Sequence, residues 1–178
     1  MNKSFFEDNK LFFLGIIIAI LVCILDLYSK RQIFMILDNI AIKESVRYPE
    51  IRITGFFSLV KVWNKGVSFG MFDGLNNGKY ILSILNIVIT FILFVWLYRN
   101  KNKYITIAIS LIIGGALGNL IDRLQNDAVA DFLDFYISSY HWPAFNVADS
   151  VVFIGVVLIL FEEFFIKKTD KKDEDSKE

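Results

Sequence analysis

Two acidic segments in the C-terminal third of the chain contain the residue types that acid/base chemistry requires. Asp149 belongs to the segment FNVADS at 145–150, and an apolar run over residues 151–161 follows it directly. The second segment, ADFLDF at 130–135, contains Asp131. A carboxylate at the end of a membrane helix is energetically costly, and its presence there indicates function. Two such groups beside a bilayer predict acid/base chemistry at the membrane surface.

Hydrolysis of a peptide by two carboxyl groups requires one ionised group to take a proton from water and one protonated group to polarise the carbonyl. Proximity and a low dielectric separate the two pKa values, so one pair can hold both states. By position, Asp131 and Asp149 form the best pair, and the helix dipole favours an ionised Asp149. Two alternatives remain open: Asp149 only caps its helix, or Asp134 takes the place of Asp131.

The composition is typical of a membrane protein. The chain has 178 residues, of which 55% are hydrophobic, and its mean hydropathy is +0.51. A net charge of zero provides no electrostatic footprint for nucleic acid. The single cysteine excludes an internal disulfide, and one cysteine with one histidine argues against a zinc site. We therefore expect no metal, no cofactor and no nucleic-acid partner.

Four apolar stretches predict an all-α membrane protein with four transmembrane helices. A helix needs about 20 residues to cross the hydrocarbon core. The predicted spans are residues 11–28, 79–98, 104–121 and 148–166. We expect residues 1–178 to form a single membrane-embedded domain, with 167–178 as a charged cytoplasmic tail.

The short loop at 99–103 sets the predicted orientation. It has the sequence RNKNK, with three basic residues and no acid, and the positive-inside rule places it in the cytoplasm together with both termini. The polar ends of three helices then share the extracytoplasmic face. These polar residues are Asp26, Lys30, Asn119, Asp122, Arg123, Asn146 and Asp149.

The segments between the spans predict further structure on the extracytoplasmic side. Alternating and β-branched residues over 52–64 predict a small sheet between helices 1 and 2, and residues 124–147 are expected to form a second outer loop. Gly114 and Gly118 form a small-xxx-small pair, which predicts close helix packing. Asp26 and Lys30 stand one helical turn apart, as in a salt bridge.

Five segments resemble, in order, the motifs of bacterial lipoprotein signal peptidase (signal peptidase II). They are DLYSK at 26–30, NKGVSFG at 64–70, GNLIDR at 118–123, VADF at 129–132 and FNVADS at 145–150. Any one of these motifs is weak evidence, but five in the family's order are specific. The first motif departs from the family at Leu27, where Gln is common.

The resemblance implies a membrane aspartyl endopeptidase of the bacterial cytoplasmic (inner) membrane. It would remove the signal peptide of prolipoproteins by cleaving before a diacylglyceryl-modified cysteine, with membrane lipids as surroundings and a globomycin-type antibiotic as inhibitor. Asp131 and Asp149 would be the catalytic pair, and the family's extracytoplasmic cradle matches the predicted sheet. The residues that would line or support the site are Asp26, Lys30, Asn64, Gly66, Asn119, Asp122, Arg123, Asn146 and Ala148.

Two other classes of protein account for some of the same residues. A proton-coupled transporter or channel component also places carboxylates in a membrane, but it requires them along a path through the bilayer. A non-enzymatic scaffold would use the acids as helix caps and the glycines as a helix interface. The scaffold predicts that Asn is tolerated at Asp131 and Asp149.

Overall fold

The protein is built from four helices and a small sheet, seen here in a computed structural model that describes residues 7–66 and 78–166. The helices are α1 (Lys10–Glu44), α2 (Gly78–Arg99), α3 (Lys103–Asn126) and α4 (Val147–Phe161), and α4 continues into a π-helical segment, Glu162–Ile166. The predicted tail at 167–178 and the motif positions 67–70 lie outside the described residues.

Three of the described helices, α1, α2 and α3, are long and apolar enough to cross a membrane. This confirms a helical membrane protein, while the fourth span stays a prediction. The α-helical part of α4 has 15 residues, which is short of the roughly 20 that a span requires. The five π-helical residues continue its path.

The first helix continues well past its predicted end at residue 28. It runs to Glu44, and Ser45 ends it in a left-handed conformation with φ of 53°. The sequence prediction stopped where the hydrophobic run stopped. Apolar residues nevertheless recur at helical spacing beyond that point, and Phe34 packs with Ala130 and Phe132 in a core beneath the sheet.

The predicted small sheet is present, but it draws its strands from both outer segments and not only from the segment between helices 1 and 2. The strands are β1 (Glu50–Thr54), β2 (Phe57–Asn64), β3 (Val129–Ile137) and β4 (Tyr140–His141). They are antiparallel and lie in the order β1-β2-β3-β4. A two-stranded hairpin is marginally stable by itself, and pairing with β3 completes it. The segment 124–147 is therefore not a simple loop.

Helix α3 lies at the centre of the bundle and contacts each of the other three helices. Its glycines permit close approach. A Cβ atom at Gly114 would lie 2.6 Å from the Ala19 carbonyl oxygen of α1, and one at Gly115 would lie 2.6 Å from the Ala148 carbonyl oxygen of α4. A Cβ atom at Gly118 would collide with the carboxylate of Asp26. The close packing predicted from Gly114 and Gly118 is confirmed.

Candidate active site

A bulge in β2 aligns the first pair of polar residues. Leu59 pairs with Leu133, but Val62 pairs with Asp131, so β2 has one extra residue between these positions. Such a bulge changes which side chains share a face of the sheet. Because of it, Asn64 lies on the same face as Asp131, and Asn64 Nδ2 donates to Asp131 Oδ2 at 2.9 Å.

The N-terminus of α4 provides the second carboxylate. Asn146 is the N-cap, and its Oδ1 accepts from the Asp149 backbone N–H at 3.0 Å. Asp149 Oδ2 accepts in return from the Asn146 backbone N–H at 3.2 Å, which completes a capping box. Asp149 is therefore the third residue of the helix and not its N-cap. The capping role uses one of its oxygens and leaves Oδ1 for another partner.

Three asparagine side chains connect the two carboxylates. Asn146 Nδ2 donates to Asp131 Oδ1 at 2.7 Å, and Asn119 Nδ2 donates to Asp149 Oδ1 at 2.8 Å. Asn64 Nδ2 donates to Asp131 Oδ2, and the Asn146 backbone N–H donates to Asp149 Oδ2, so every oxygen of Asp131 and Asp149 has an N–H partner. We call Asp131 and Asp149 the aspartate pair.

Each of the three amides is held in one orientation by a group that can only donate. Asn119 Oδ1 accepts from the Lys30 ammonium at 2.8 Å. Asn146 Oδ1 accepts from a backbone N–H, and so does Asn64 Oδ1, from Gly66 at 3.1 Å. An ammonium or a backbone N–H cannot accept a hydrogen bond. The amide oxygens are therefore committed, and the NH₂ groups must face the aspartate pair.

Lys30 belongs to a buried ion cluster between α1 and α3. Its Nζ lies 2.7 Å from Asp26 Oδ2 and 3.4 Å from Asp122 Oδ2, so the predicted Asp26–Lys30 salt bridge is present. Asp26 Oδ1 accepts from the Ala148 backbone N–H at 2.8 Å. Asp122 Oδ2 accepts from the Ala130 backbone N–H at 2.7 Å. The cluster thus holds the chain next to each member of the aspartate pair.

The aspartate pair opens onto a cavity of about 520 Å³, which we call the aspartate cavity. Its polar lining includes Asn64, Asn119 and the buried Arg123, and Val152 and Phe153 of α4 contribute an apolar wall. The Nε atom of Arg123 has no hydrogen-bond partner among the described residues. The cavity therefore combines a buried cation, two acids and an apolar side, which suits a substrate with a peptide backbone and apolar groups.

Burial changes the proton affinity of one member of the pair. The side chain of Asp131 lies in the sheet with 1% exposure, and desolvation raises its pKa to about 7. This pKa is the net result of opposing effects: desolvation and the nearby charge of Asp149 raise it, and the hydrogen bonds from Asn64 and Asn146 lower it. Near neutral pH, Asp131 is divided between its protonated and ionised forms, as an acid/base catalyst requires.

The structure brings together all of the residues predicted for the site. Asp134, the alternative to Asp131, does not line the aspartate cavity. It accepts from Ser58 Oγ at 3.1 Å and pairs with His141 Nδ1 at 2.8 Å. Sequence reasoning missed Asn86 of α2, which also lines the cavity and donates to the Ala116 carbonyl oxygen at 3.1 Å. An amide side chain within an apolar span is costly unless it has a partner, so the position of Asn86 could have marked it as a candidate site residue.

The fold and the site define a helical membrane enzyme whose cavity holds paired aspartates. A family model described as "Signal peptidase (SPase) II" matches residues 18–165. The chain therefore belongs to the signal peptidase II family, which is a family of proteases, and it is an integral membrane protein. This membership does not support the transporter or scaffold alternatives.

Individual relatives and solved structures agree with the family. The chain is 36% identical to the lipoprotein signal peptidase of Alteromonas mediterranea over 96% of its own length and 89% of the relative's. It is 42% identical to that of Aeromonas hydrophila, over 88% and 90%. Two solved structures of a bacterial membrane enzyme, obtained by the in meso method at 2.3 and 1.9 Å resolution, superpose with TM-scores of 0.67 and 0.68. They are 31% and 30% identical, and the matches cover 89% and 85% of this chain and 91% and 93% of theirs.

Proposed function

We propose that this protein is an aspartyl endopeptidase that removes the signal peptide of prolipoproteins by cleaving before a diacylglyceryl-modified cysteine. The relatives named lipoprotein signal peptidase support the substrate class. The observation that carries the chemistry is the aspartate pair, whose oxygens all accept N–H groups beside one cavity. Asp131 and Asp149 are the catalytic residues in this proposal, and no metal or other cofactor takes part.

The two aspartates have different roles because their surroundings differ. Asp149 lies in the first turn of α4, where the helix dipole favours a negative charge, and it is the base that takes a proton from the attacking water. Asp131, with its pKa raised to about 7 by burial, is the acid that protonates the carbonyl oxygen. The water oxygen attacks the carbonyl carbon and forms a tetrahedral diol. On its collapse, Asp149 gives the proton it took from water to the leaving nitrogen, Asp131 takes a proton back from a diol hydroxyl, and the C–N bond breaks to leave a carboxylic acid and an amine.

The remaining site residues position the substrate and the pair. Arg123 donates N–H groups to a backbone carbonyl of the substrate, because its Nε has no partner among the described residues. Val152 and Phe153 face the apolar part of the signal peptide or its lipid. Anchoring of the substrate in the same membrane raises its effective concentration at the site, so a deep pocket is not required.

The membrane arrangement is part of the proposal. The α2–α3 turn carries the basic residues of 99–103 and lies at the opposite end of α3 from Asn119. By the positive-inside rule, the turn and both termini face the cytoplasm, and the aspartate pair faces the extracytoplasmic side of the bacterial inner membrane. The chain works as one membrane-embedded domain with a charged tail at 167–178, and a globomycin-type inhibitor would occupy the aspartate cavity.

The test is cleavage of a diacylglyceryl-modified prolipoprotein by the purified protein in detergent or lipid. The parent protein should cleave it, and Asp131→Asn and Asp149→Asn should lose about 10³-fold or more of the rate with unchanged folding. Asp134→Asn is the matched control, since an Asn oxygen there still accepts from Ser58. Failure of well-folded parent protein to cleave would reject the proposed peptidase function. Full activity of Asp131→Asn or Asp149→Asn would reject the two-aspartate mechanism.

A further inference from the structure

A second cavity, of about 560 Å³, lies between the outer half of α1, strand β2 and the end of α3. It shares no lining residue with the aspartate cavity. Lys30 and Asp122 form part of its wall, and both also hold the supports of the aspartate pair. A ligand in the second cavity would therefore contact residues that support the active site without reaching the aspartate pair.

From the length of α1, we expect the second cavity to lie at the depth of the lipid headgroups. Helix α1 begins at Lys10, and about 20 helical residues at 1.5 Å each cross a hydrocarbon core of roughly 30 Å. The helix therefore leaves the hydrocarbon close to Arg31. Leu27 lies one turn deeper and Asp38 two turns further out, and all three residues line the cavity.

One cation of the cavity has no ion pair among the described residues, and a second is paired with an exposed carboxylate. Lys30 is neutralised by Asp26 and Asp122, whereas Arg31 is exposed and forms no ion pair with another described residue. Lys61 Nζ lies 2.5 Å from Asp38 Oδ1, but the Asp38 side chain is 51% exposed and can turn outward to water. Arg31 and Lys61 can then face the same anion.

The apolar groups of the cavity suit the part of a lipid that joins the headgroup to its chains. The rings of Phe34 and Trp63 meet edge to face with centroids 5.0 Å apart, and Lys61 Nζ lies 5.2 Å from the Phe34 centroid. Trp is typical of the interface between headgroups and hydrocarbon. A phosphate and an adjoining glycerol would meet cations and rings in the same place.

We propose that the second cavity binds the headgroup of an anionic phospholipid. The phosphate is held by Arg31 and Lys61, the glycerol lies against Phe34 and Trp63, and an acyl chain descends along Leu27. Basic pockets between transmembrane helices are known to bind anionic lipid headgroups on the cytoplasmic side, and we expect the same charge attraction at the outer end of α1. The proposal requires only that the chain spans a membrane and does not depend on the proteolytic activity.

The experiment is native mass spectrometry of the full-length protein in detergent with dioleoyl phosphatidylglycerol or dioleoyl phosphatidylcholine at equal concentration. We expect the parent to retain phosphatidylglycerol in preference to phosphatidylcholine. Arg31→Gln should weaken retention of phosphatidylglycerol about fivefold, as one basic group at a membrane surface does. Arg31→Glu should weaken it further. Lys43→Gln, which removes an exposed charge from the same helix outside the cavity, is the matched control and should behave as the parent does.

Three results would overturn the proposal: equal retention of the two lipids, parent-like binding by both Arg31 variants, or displacement of the lipid by millimolar inorganic phosphate. The last result would identify a phosphate site and not a lipid site. Melting temperature and prolipoprotein cleavage of the Arg31 variants report folding separately, because Arg31 contacts neither the aspartate pair nor its amides. Loss of lipid binding with intact cleavage would thus separate this proposal from the proteolytic one.

Discussion

A cluster of asparagines lies at each end of α3, and the two clusters hold different groups in place. The end next to the aspartate pair, which we call the aspartate end, contains Asn64, Asn119 and Asn146, whose NH₂ groups point at carboxylates beside a cavity. The turn end contains Asn100 and Asn102. Asn102 Oδ1 accepts from the backbone N–H groups of Tyr104 and Ile105, and Asn100 Nδ2 donates to the Asn102 carbonyl oxygen at 2.7 Å.

The difference lies in the acids that the amides hold. At the turn end, Asn102 Oδ1 caps the backbone of α3, and its Nδ2 donates to the buried acid Glu162 at 2.5 Å. That cluster ends one helix and begins the next. At the aspartate end, donors fix the amide oxygens, and the NH₂ groups of the same amides then hold the carboxylates of Asp131 and Asp149 in place. Asn102 and Asn146 therefore make the same local contacts, a helix cap and a hydrogen bond donated to a buried acid. They differ in the acid that they hold, because Asp131 lines the aspartate cavity and Glu162 does not.

The comparison is sharpest for Asn146→Ala against Asn102→Ala. Asn146→Ala removes a helix cap and a donor to Asp131. We expect it to slow cleavage about 10²-fold, as displacement of a catalytic group does, and to lower the free energy of unfolding by about 1 kcal/mol. Kinetics on folded protein and thermal unfolding measure the two effects. Similar slowing of cleavage by Asn102→Ala would contradict the distinction between the ends.

Lys30→Met tests whether the ammonium orients the Asn119 amide. Without it, Asn119 can rotate and lose its bond to Asp149, so we expect cleavage to slow about tenfold, equivalent to one charge-assisted hydrogen bond. The variant also leaves Asp26 buried without its partner, which we expect to destabilise the fold by roughly 3–5 kcal/mol. Lys30→Arg, which retains the charge, controls for the loss of the ion pair. The ordering role would be excluded if Lys30→Met reduced stability alone.

The pH dependence of cleavage tests the role of Asp131. Its pKa is raised to about 7 by burial, and the acid must be protonated to act. Activity should therefore be retained below pH 7 and should fall about tenfold per unit above it. The measurement is kcat across pH 5 to 9 with saturating substrate. A rate that keeps rising through pH 8 would mean that Asp131 acts in its ionised form.

Glu162→Gln should have the smallest effect. The Gln oxygen can still accept from Asn102 Nδ2, and Glu162 Oε2 has no hydrogen-bond partner among the described residues. We expect cleavage within twofold of the parent and a change in the free energy of unfolding of less than about 1 kcal/mol. A large loss of cleavage with intact folding would show that the turn end contributes to the reaction.

The sequence predicts which residues belong to the candidate site better than it predicts the contacts between elements that bring them together. Asp26 and Lys30 pair at i and i+4, and their contact follows from helical geometry alone. The contact between Asn146 and Asp149 is also local, but the sequence analysis offered Asp149 as the cap, whereas Asn146 is the N-cap and Asp149 completes a capping box. In each case the relevant distance is set within one element, where sequence separation determines geometry.

The contacts that the sequence did not predict are between elements. Residues 129–137 were predicted as part of the outer loop at 124–147, and it is pairing with β2 that makes them a strand. The bulge that turns Asn64 toward Asp131 depends on the register of two strands more than sixty residues apart, and no local pattern specifies it. The length of α1 was missed because hydrophobicity and not helical spacing set the predicted boundary.

The most direct test of the account is the cleavage rate of Asp131→Asn, Asp149→Asn and the double variant, measured side by side on folded protein. Residues that act as one catalytic unit give strongly non-additive losses. The account predicts that each single variant loses nearly all of the rate and that the double variant loses no more. Activity in either single variant close to that of the parent, or losses that multiply in the double variant, would show that the two aspartates do not act as a pair.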